Sequence, residues 1–331
     1  MAHSTVYDVA DKAGVSIATV SRVVNSPEKV NPDTRTKVLT VIDQLGYVPK
    51  AEAAARARKS AGRIGVLAPF FTYPSFVQRL RGVANALSAL PFELTVYNVD
   101  STARRDSYVT SLSLTRRLDG LILMALPFSQ AIVERLVHHS METVSIEVTH
   151  PSFSSIEIDD HAGGRLAAEF LISKGHQRLG FIGDTDLPEH AFPTSDRRLG
   201  GYRAAIHDAG LALEHQYIAL AAQSLENAMR CMDRLLDLPK PPTAVFCASD
   251  TQAMGALKAA RKRGLNIPRD IAIIGFDDLD VADYIGLSTI RQHLEESGRL
   301  AVELLLSRLQ YRTRPIQNIR LNLEIIERET T

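Results

Sequence analysis

Residues 16–25 bring together side chains that could read the edges of nucleic-acid bases. Helical spacing would place five of them on one outward face: Ile17, Ala18, Ser21, Arg22 and Asn25. An arginine can donate paired hydrogen bonds to guanine, whereas isoleucine and alanine offer only apolar contact, for instance to the methyl group of thymine. We therefore expect Arg22 to supply most of the hydrogen-bonded discrimination between bases, with DNA shape supplying part of the specificity.

Start and stop signals around this face predict a compact three-helix head. The predicted helices are Val6–Ala13, Ile17–Val24 and Pro32–Leu45. Residues that favour N-cap positions precede each helix, namely Thr5, Ser16 and Asn31. Gly14 permits a tight turn between the first two helices, so that the outer face of the second can enter a major groove. This pattern is typical of a DNA-binding helix-turn-helix, which we assign to residues 1–48.

Charge is distributed unevenly along the 331 residues. The whole chain has a formal net charge of zero, but residues 1–63 carry ten Lys and Arg against six Asp and Glu. The first part of the chain is therefore net positive by four charges, and the remainder is net negative by the same number. A basic head on an acidic body suits a chain whose first sixty residues meet an anionic partner.

The segment from Thr5 to Asn25 resembles the DNA-binding head of the LacI/GalR family of transcriptional regulators almost position by position. The resemblance implies that Ile17 and Ala18 discriminate between bases and that Arg22 contacts a base edge. It also implies that several polar residues mainly contact the DNA backbone: Tyr7, Ser16, Thr19, Ser21 and Asn25. We include Thr5, at the start of the head, in the DNA-binding set.

Residues 49–62 are predicted to form a hinge between the head and the body. Family members normally end this hinge with a leucine that wedges into the minor groove at the operator centre. Counting without gaps, Arg56 occupies that position in this chain. An arginine can enter a narrow minor groove electrostatically but cannot unstack bases as an apolar wedge does. We therefore expect Arg56 and Arg58 to bind the central minor groove with less kinking of the DNA.

From residue 63 onward the hydrophobic pattern changes to short apolar runs. Seven such runs, among them Gly120–Met124 and Leu179–Gly183, are mostly separated by helical stretches. Fully apolar strands that alternate with helices indicate parallel sheets covered on both faces. Seven strands exceed one modest sheet, so we predict two. The fold class is therefore multidomain, with an all-α head and an α/β body of two doubly wound parallel sheets over residues 63–331.

The resemblance to the LacI/GalR family continues through the body to the end of the chain. The most diagnostic strings are Ile158–Gly164, Arg198–Arg203, Ala248–Gly255 and Gly275–Asp278. The family body resembles periplasmic binding proteins. Carried over, it implies an N-lobe of about 63–160 and 291–320 and a C-lobe of about 161–290 and 321–331. In that fold a ligand binds in the cleft between the lobes, at the carboxyl ends of the strands.

Carried over position by position, the resemblance also implies an effector site. Its candidate residues are Tyr73, Ser75, Phe76, Glu147, Arg198, Ser249, Asp250 and Asp277. Carboxylates accept paired hydrogen bonds from vicinal hydroxyls, and arginine donates to ring oxygens, so this set favours a mono- or oligosaccharide. A nucleoside, a purine or another small metabolite remains the alternative. Ser224 stands where relatives often stack an aromatic ring on the sugar.

Several features weigh against other classes of protein. The sequence has no dinucleotide fingerprint, phosphate loop or nucleophile elbow, so we expect neither an enzyme nor a cofactor. His138 and His139 lack a carboxylate or cysteine at ligand spacing, which predicts a solvated surface and no metal site. Cys231 and Cys247 are expected to be buried thiols. Without a secretion signal or a membrane span, a solute-binding receptor is disfavoured, and we expect a cytoplasmic protein without membrane contact.

Together these patterns predict a repressor controlled by linkage between two sites. A ligand in the body would change the affinity of the head for its operator. A homodimer predicts a near-palindromic operator with half-sites about one helical turn apart. The lack of a C-terminal leucine heptad favours a dimer over a tetramer. Activation in place of repression, and a corepressor in place of an inducer, both stay open.

Overall fold

The computed structural model describes residues 4–47, 62–185 and 188–331. These residues divide into two compact units. Unit 1 comprises residues 4–47, 62–71, 84–155 and 300–317, and unit 2 comprises residues 72–83, 156–185, 188–299 and 318–331. Each unit contains residues from several separate stretches of the chain, so neither is continuous in sequence.

Helices and strands alternate through most of the described body. The helices are α1 Val6–Ala13, α2 Ile17–Asn25, α3 Pro32–Leu45, α4 Pro74–Leu87, α5 Thr102–Thr115, α6 Gln130–His138, α7 Asp160–Ser173, α8 Thr194–Asp208, α9 Leu225–Leu236, α10 Asp250–Lys262, α11 Asp280–Tyr284 and α12 Leu294–Gln310. The strands are β1 Gly62–Ala68, β2 Phe92–Asn98, β3 Gly120–Met124, β4 Glu142–Ile146, β5 Ser154–Glu157, β6 Leu179–Gly183, β7 Ile218–Leu220, β8 Ala244–Cys247, β9 Ala272–Asp277, β10 Ser288–Arg291, β11 Asn318–Arg320 and β12 Glu324–Ile326. Two short 3-10 helices lie at Pro27–Lys29 and His215–Tyr217.

The predicted N-cap residues precede the three helices of the head, and α2 ends one residue later than predicted, at Asn25. The Thr5 hydroxyl accepts a hydrogen bond from the Asp8 amide, and the Asp8 carboxylate accepts one from the Thr5 amide at 2.6 Å, which completes a capping box. Gly14 ends α1 with a φ of +62°, a left-handed conformation that glycine adopts without strain. Ser16 caps α2 by accepting from the Thr19 amide at 3.2 Å. Asn31 caps α3 by accepting from the Asp33 amide at 2.9 Å. The cap predictions for Thr5, Ser16 and Asn31 are confirmed.

The head has a small apolar core of its own. Its buried side chains are Val9, Ala10, Ala13, Val20, Val23, Val24, Val38, Leu39, Val41 and Ile42. Leu114, near the end of α5 in the body of unit 1, belongs to the same apolar cluster. The head therefore packs against α5 through the side of α2 that carries its buried valines, because those valines and Leu114 exclude water together.

The two predicted sheets are present, each with six strands. The first has the order β11-β5-β4-β3-β1-β2, and the second has the order β12-β10-β9-β8-β6-β7. In the second sheet β6 runs parallel to β7 and β8, β8 to β9, and β9 to β10, whereas β12 pairs antiparallel with β10. The chain moves outward in both directions from β6 and β8, so the topological switch point lies between these two strands.

The strands of the second sheet are apolar along their whole length because both faces are covered. Ile182 and Val245 belong to one buried cluster, whereas their neighbours Phe181 and Phe246 belong to the cluster on the other face. Cys231 and Cys247 are free and buried, and burial raises the pKa of each thiol. Among the described residues, no helix has the length and apolar content needed to cross a bilayer.

Candidate functional site

The residues predicted to read DNA lie on the exposed side of the head. In α2 the buried positions are those of the head core, and they alternate with exposed positions at helical spacing. The exposed set comprises Ser16, Ile17, Ala18, Ser21 and Arg22, together with Tyr7 on α1; Thr19 is half-buried. The packing of the head on α5 leaves this face open, so the reading residues remain accessible to a major groove.

Four other residues predicted to contact DNA are not part of this exposed face as the structure describes it. Arg56 and Arg58 lie outside the described residues, so their contact with the minor groove stays a prediction. Asn25 ends α2, and its side chain is likewise not described. The Thr5 hydroxyl donates to the Asp8 carboxylate at 2.7 Å, and this bond and then the Thr5 amide hold the pKa of Asp8 below its usual value. Thr5 therefore fixes the start of α1.

A second group of polar residues lies at one edge of the second sheet, within unit 2. Asp184 follows β6, Ser249 lies two residues beyond β8, Asp277 ends β9 and Gln292 follows β10. These strands are parallel neighbours, so their carboxyl ends meet at the same edge. Ser249 and Asp277 were predicted from sequence, whereas Asp184 and Gln292 were not.

Arg198 of α8 is held rigidly beside this edge. Arg198 is buried, with 5% of the residue exposed. Its Nε donates to Asp160 Oδ1 at 2.8 Å, and its Nη1 donates to the carbonyl oxygen of Ala248 at 2.5 Å. The guanidinium carbon lies 3.6 Å from the centroid of the Phe276 ring. The guanidinium is thus held on three sides, so the fold fixes its position.

Two glycines allow α8 to bring Arg198 to this position. A Cβ atom on Gly164 of α7 would overlap the carbonyl oxygen of Arg198, and a Cβ on Gly201 of α8 would overlap the carbonyl oxygen of His161. The two helices therefore cross with their backbones almost in contact, which only glycine permits. Each glycine comes from one of the sequence strings that carry the family resemblance.

Asp277 is supported by a chain of buried side chains. Its Oδ1 accepts from Gln292 Nε2 at 2.5 Å, and Gln292 Oε1 accepts from Arg79 Nη2 at 3.1 Å. Arg79, on α4, is among the largest fully buried side chains. The backbone of Asp277 has a φ of +129°, a conformation that L-residues rarely adopt and that persists only where the surroundings enforce it. The geometry of this carboxylate is therefore strongly determined.

Asp250 is fully buried and hydrogen-bonded within unit 2. Its carboxyl group has no exposed area; one oxygen accepts from Thr289 Oγ1 at 2.5 Å and the other from the Leu279 amide at 2.8 Å. Burial, followed by the negative charge of Asp277, raises the pKa of Asp250 well above its usual value. Asp250 therefore fixes the turn after β9, and the effector contact expected for it stays a prediction.

Ser249 belongs to a polar network that also includes residues missed by the sequence reasoning. Its hydroxyl caps α10 by accepting from the Gln252 amide at 3.2 Å, and it accepts from Gln223 Nε2 at 3.3 Å. Gln252 Nε2 in turn donates to Asp184 Oδ1 at 2.8 Å. Burial raises the pKa of Asp184 to about 6, although the charge of Arg198 and the bond from Gln252 oppose this rise. The pKa of Asp184 therefore lies well above that of an ordinary aspartate.

The remaining predicted effector residues lie just before α4, in its first turn, and after β4. Burial, and then the charge of nearby Asp184, raises the pKa of Tyr73, so Tyr73 lies close to the network just described. Ser75 and Phe76 are half-buried in the first turn of α4. Glu147 is a buried residue of unit 1 with a φ of +75°. Ser224 caps α9 by accepting from the Asn227 amide at 3.0 Å.

The fold and these two sites define a class of protein: a DNA-binding regulator that joins a helix-turn-helix head to an α/β body of the periplasmic-binding-protein type. Residues 5–50 match the family described as "Bacterial regulatory proteins, lacI family", and residues 168–331 match a "Periplasmic binding protein-like domain". The chain is 34% identical to the HTH-type transcriptional repressor CytR of Escherichia coli K12 over 311 residues, which cover 93% of this chain and 90% of CytR.

Solved structures agree with this assignment. The transcriptional regulator CelR in complex with cellobiose is 28% identical, with a TM-score of 0.71 over 99% of this chain and all of CelR. The lac repressor dimer bound to operator and the anti-inducer ONPF is 26% identical, with a TM-score of 0.71 over 100% of this chain and 99% of that one. The chain therefore belongs to the lacI family and is a DNA-binding transcriptional repressor, not an enzyme.

Proposed function

We propose that this repressor senses a mono- or oligosaccharide at the carboxyl edge of the second sheet. The observation that carries the proposal is Arg198, fixed over Phe276 and close enough to Asp184 for its charge to act on the pKa of that carboxyl group. Asp277 ends β9 at the same edge of the sheet. Carboxylates and a guanidinium can accept from and donate to neighbouring hydroxyl groups of a sugar. The similarity to CelR, which is known in complex with cellobiose, supports a saccharide.

The effector would act by shifting an equilibrium between two states of the protein. A ligand controls operator affinity only to the extent that it binds one of these states more tightly than the other. The rigid setting of Arg198 and Asp277 suits such selectivity, because small displacements of fixed groups change their fit to a ligand strongly. We place this activity in the cytoplasm, where the operator DNA is. Whether the effector releases or promotes repression is decided by which state it favours.

We further propose that the repressor works as a homodimer on a near-palindromic operator. Unit 2 exposes large apolar side chains: Tyr284 is 89% exposed, Leu225 48% and Val281 37%. Beside them, Met254, Leu257 and Ile285 line an apolar groove of about 510 Å³, rimmed by Lys258, Arg261 and Lys262. A contiguous apolar surface of this kind suits self-association. The similarity to the lac repressor, known as a dimer on its operator, supports a second copy as its occupant.

A thermal-shift screen tests the sensing proposal. Monosaccharides, disaccharides, nucleosides, purines and amino acids are each added to the full-length repressor. A ligand that binds the native state alone raises its stability, by about 2.7 kcal/mol at a hundred times its dissociation constant. We expect stabilisation by at least one saccharide and a loss of that stabilisation in Asp277→Asn. Stabilisation by nucleosides or purines alone would instead assign the site to the alternative class of effector.

A further inference from the structure

Two histidines of the body meet an aspartate of the head within unit 1. His139 Nε2 lies 3.0 Å from Asp43 Oδ1, and His138, the last residue of α6, stacks edge-on against His139 with ring centroids 5.0 Å apart. Asp43 belongs to α3 of the head, 96 positions before His139 in the sequence. The prediction of a solvated histidine pair without a carboxylate neighbour is therefore wrong for His139, because the fold supplies a distant carboxylate.

We propose that Asp43, His138 and His139 form a binding site for a divalent transition-metal ion such as Zn²⁺. One ligand atom from each residue lies within 4.8 Å of the other two. Imidazole nitrogens and a carboxylate oxygen are the ligands that Zn²⁺ and its neighbours in the first transition row prefer. Three protein ligands leave a fourth tetrahedral position for water, as in sites that are accessible to solvent.

The site needs only small side-chain movements to accept an ion. In a tetrahedral site with bonds of about 2.1 Å, ligand atoms lie about 3.4 Å apart. Asp43 and His139 already approach this separation at 3.0 Å. His138 is exposed and ends its helix, so its ring is free to rotate toward the pair. The ion would replace the hydrogen bond between Asp43 and His139 with two coordinate bonds.

A metal ion at this position would join the head to the body. Asp43 comes from α3 and both histidines from the end of α6, and the apolar packing around Leu114 already places the head on unit 1. The positive charge of Arg135 disfavours metal binding, because its Nη2 lies 3.6 Å from Asp43 Oδ2 and repels a cation. The same site thus contains three ligands and one group whose removal would favour metal binding.

Isothermal titration of the tag-free, full-length repressor with Zn²⁺ tests the proposal, with Co²⁺ absorption reporting the ligand geometry. We expect one ion per chain. Affinity should fall at least tenfold in each of Asp43→Asn, His138→Gln and His139→Gln, and should rise severalfold in Arg135→Gln. His207→Gln, which removes an exposed histidine of α8, should leave the affinity unchanged. Thermal unfolding followed by circular dichroism verifies that each variant is folded.

The pattern across the variants decides the outcome. A loss of affinity in variants from both the head and the body supports a site that bridges them. An equal affinity in all folded variants, or weak binding that only His207→Gln reduces, would overturn the proposal. Binding that depends on the two histidines but not on Asp43 would also overturn it, because the ion would then not reach the head.

Discussion

The guanidinium carbon of Arg198 lies 3.6 Å from the centre of the Phe276 ring, inside a fold where Phe276 is fully buried. The ring makes a cation–π contact with one face of the guanidinium, while Asp160 and the Ala248 carbonyl accept hydrogen bonds from its edge. A buried charge with this many partners is stable only as a set, since removing one partner leaves the others uncompensated. The packing of Phe276 in the core of unit 2 therefore helps to fix the guanidinium of Arg198 at the candidate site.

The close crossing of α7 and α8 should make the stability of the protein sensitive to a methyl group at Gly201. Gly201→Ala places a methyl group against the His161 carbonyl oxygen and should destabilise the protein by about 1–3 kcal/mol through overpacking. Gly200→Ala is the matched control, because its new Cβ would lie 3.7 Å from the nearest side-chain atom. Alanine's better helix propensity should make this control neutral or slightly stabilising. Chemical denaturation of both variants checks the contrast, and equal losses would show that the close crossing is unimportant.

Arg22 should carry base discrimination in the head. Arg22→Ala is expected to weaken binding to the operator by about 1–3 kcal/mol while affecting non-specific DNA much less, because a base-edge contact is lost. Arg35→Ala, on α3, removes an arginine of the same head outside the reading helix. Any loss in this control should be similar for both DNAs. Fluorescence anisotropy at a fixed salt concentration makes the comparison, and an equal loss of both affinities in Arg22→Ala would contradict the base-reading role.

The fold of the head and the strands of the two sheet centres could be predicted because their signals are local. Thr5, Ser16 and Asn31 are N-cap residues that mark where the helices begin. A short, fully apolar run such as Leu179–Gly183 indicates a strand in a sheet that is covered on both faces. The short strands β5, β7, β10, β11 and β12 were missed. Each has three or four residues, and a strand of that length carries too little apolar pattern to be distinguished from a loop.

The candidate effector site was predicted only in part, for a related reason. Asp277 and Arg198 stand in recognisable strings, but Gln292 and Arg79 act through partners that are 15 and 213 positions away. Asp184 follows β6 without any local motif, and only the fold shows that Gln252 donates to it. Hydrogen bonds between side chains distant in sequence depend on tertiary packing, which no local pattern reports.

Asp184 should make stability depend on pH. Its pKa of about 6 lies above the usual 3.8, so the folded state holds the proton more tightly than the unfolded state. The resulting stabilisation is complete below about pH 4 and is lost as the pH rises to about 6. The side chain of Asp184→Asn cannot ionise. At pH 7.5 its free energy of unfolding should therefore exceed that of the wild type by at most about 3 kcal/mol, a difference that solvent screening reduces.

Thermal unfolding between pH 4 and 8 tests this expectation. The advantage of Asp184→Asn should vanish near pH 4, where the wild-type carboxyl group is protonated. Glu134→Gln, an exposed substitution on α6, should follow the wild-type curve throughout. A constant difference between Asp184→Asn and the wild type across this range would mean that Asp184 does not titrate in it.

The exposed apolar face of unit 2 should hold two copies together. Tyr284→Glu places a charge at a position that is 89% exposed, so the fold should be unaffected while the dimer dissociates. Operator affinity should then fall at least tenfold, because two linked heads bind with a higher effective concentration than separate ones. Light scattering measures the mass, and Tyr311→Glu serves as an exposed tyrosine control in unit 1. A dimer that survives Tyr284→Glu would place the interface elsewhere.

A small molecule bound near Asp277 should control the affinity of the head for its operator. The direct measurement is operator binding, on a sequence selected from random DNA, with and without a compound that stabilises the repressor. Wild-type affinity should change at least tenfold with saturating compound, which corresponds to about 1.4 kcal/mol of coupling. Asp277→Asn should bind the operator within about threefold of wild type, as expected where no contact is lost, yet show no response. A wild type that ignores every stabilising compound, or an Asp277→Asn variant that responds fully, would contradict the account.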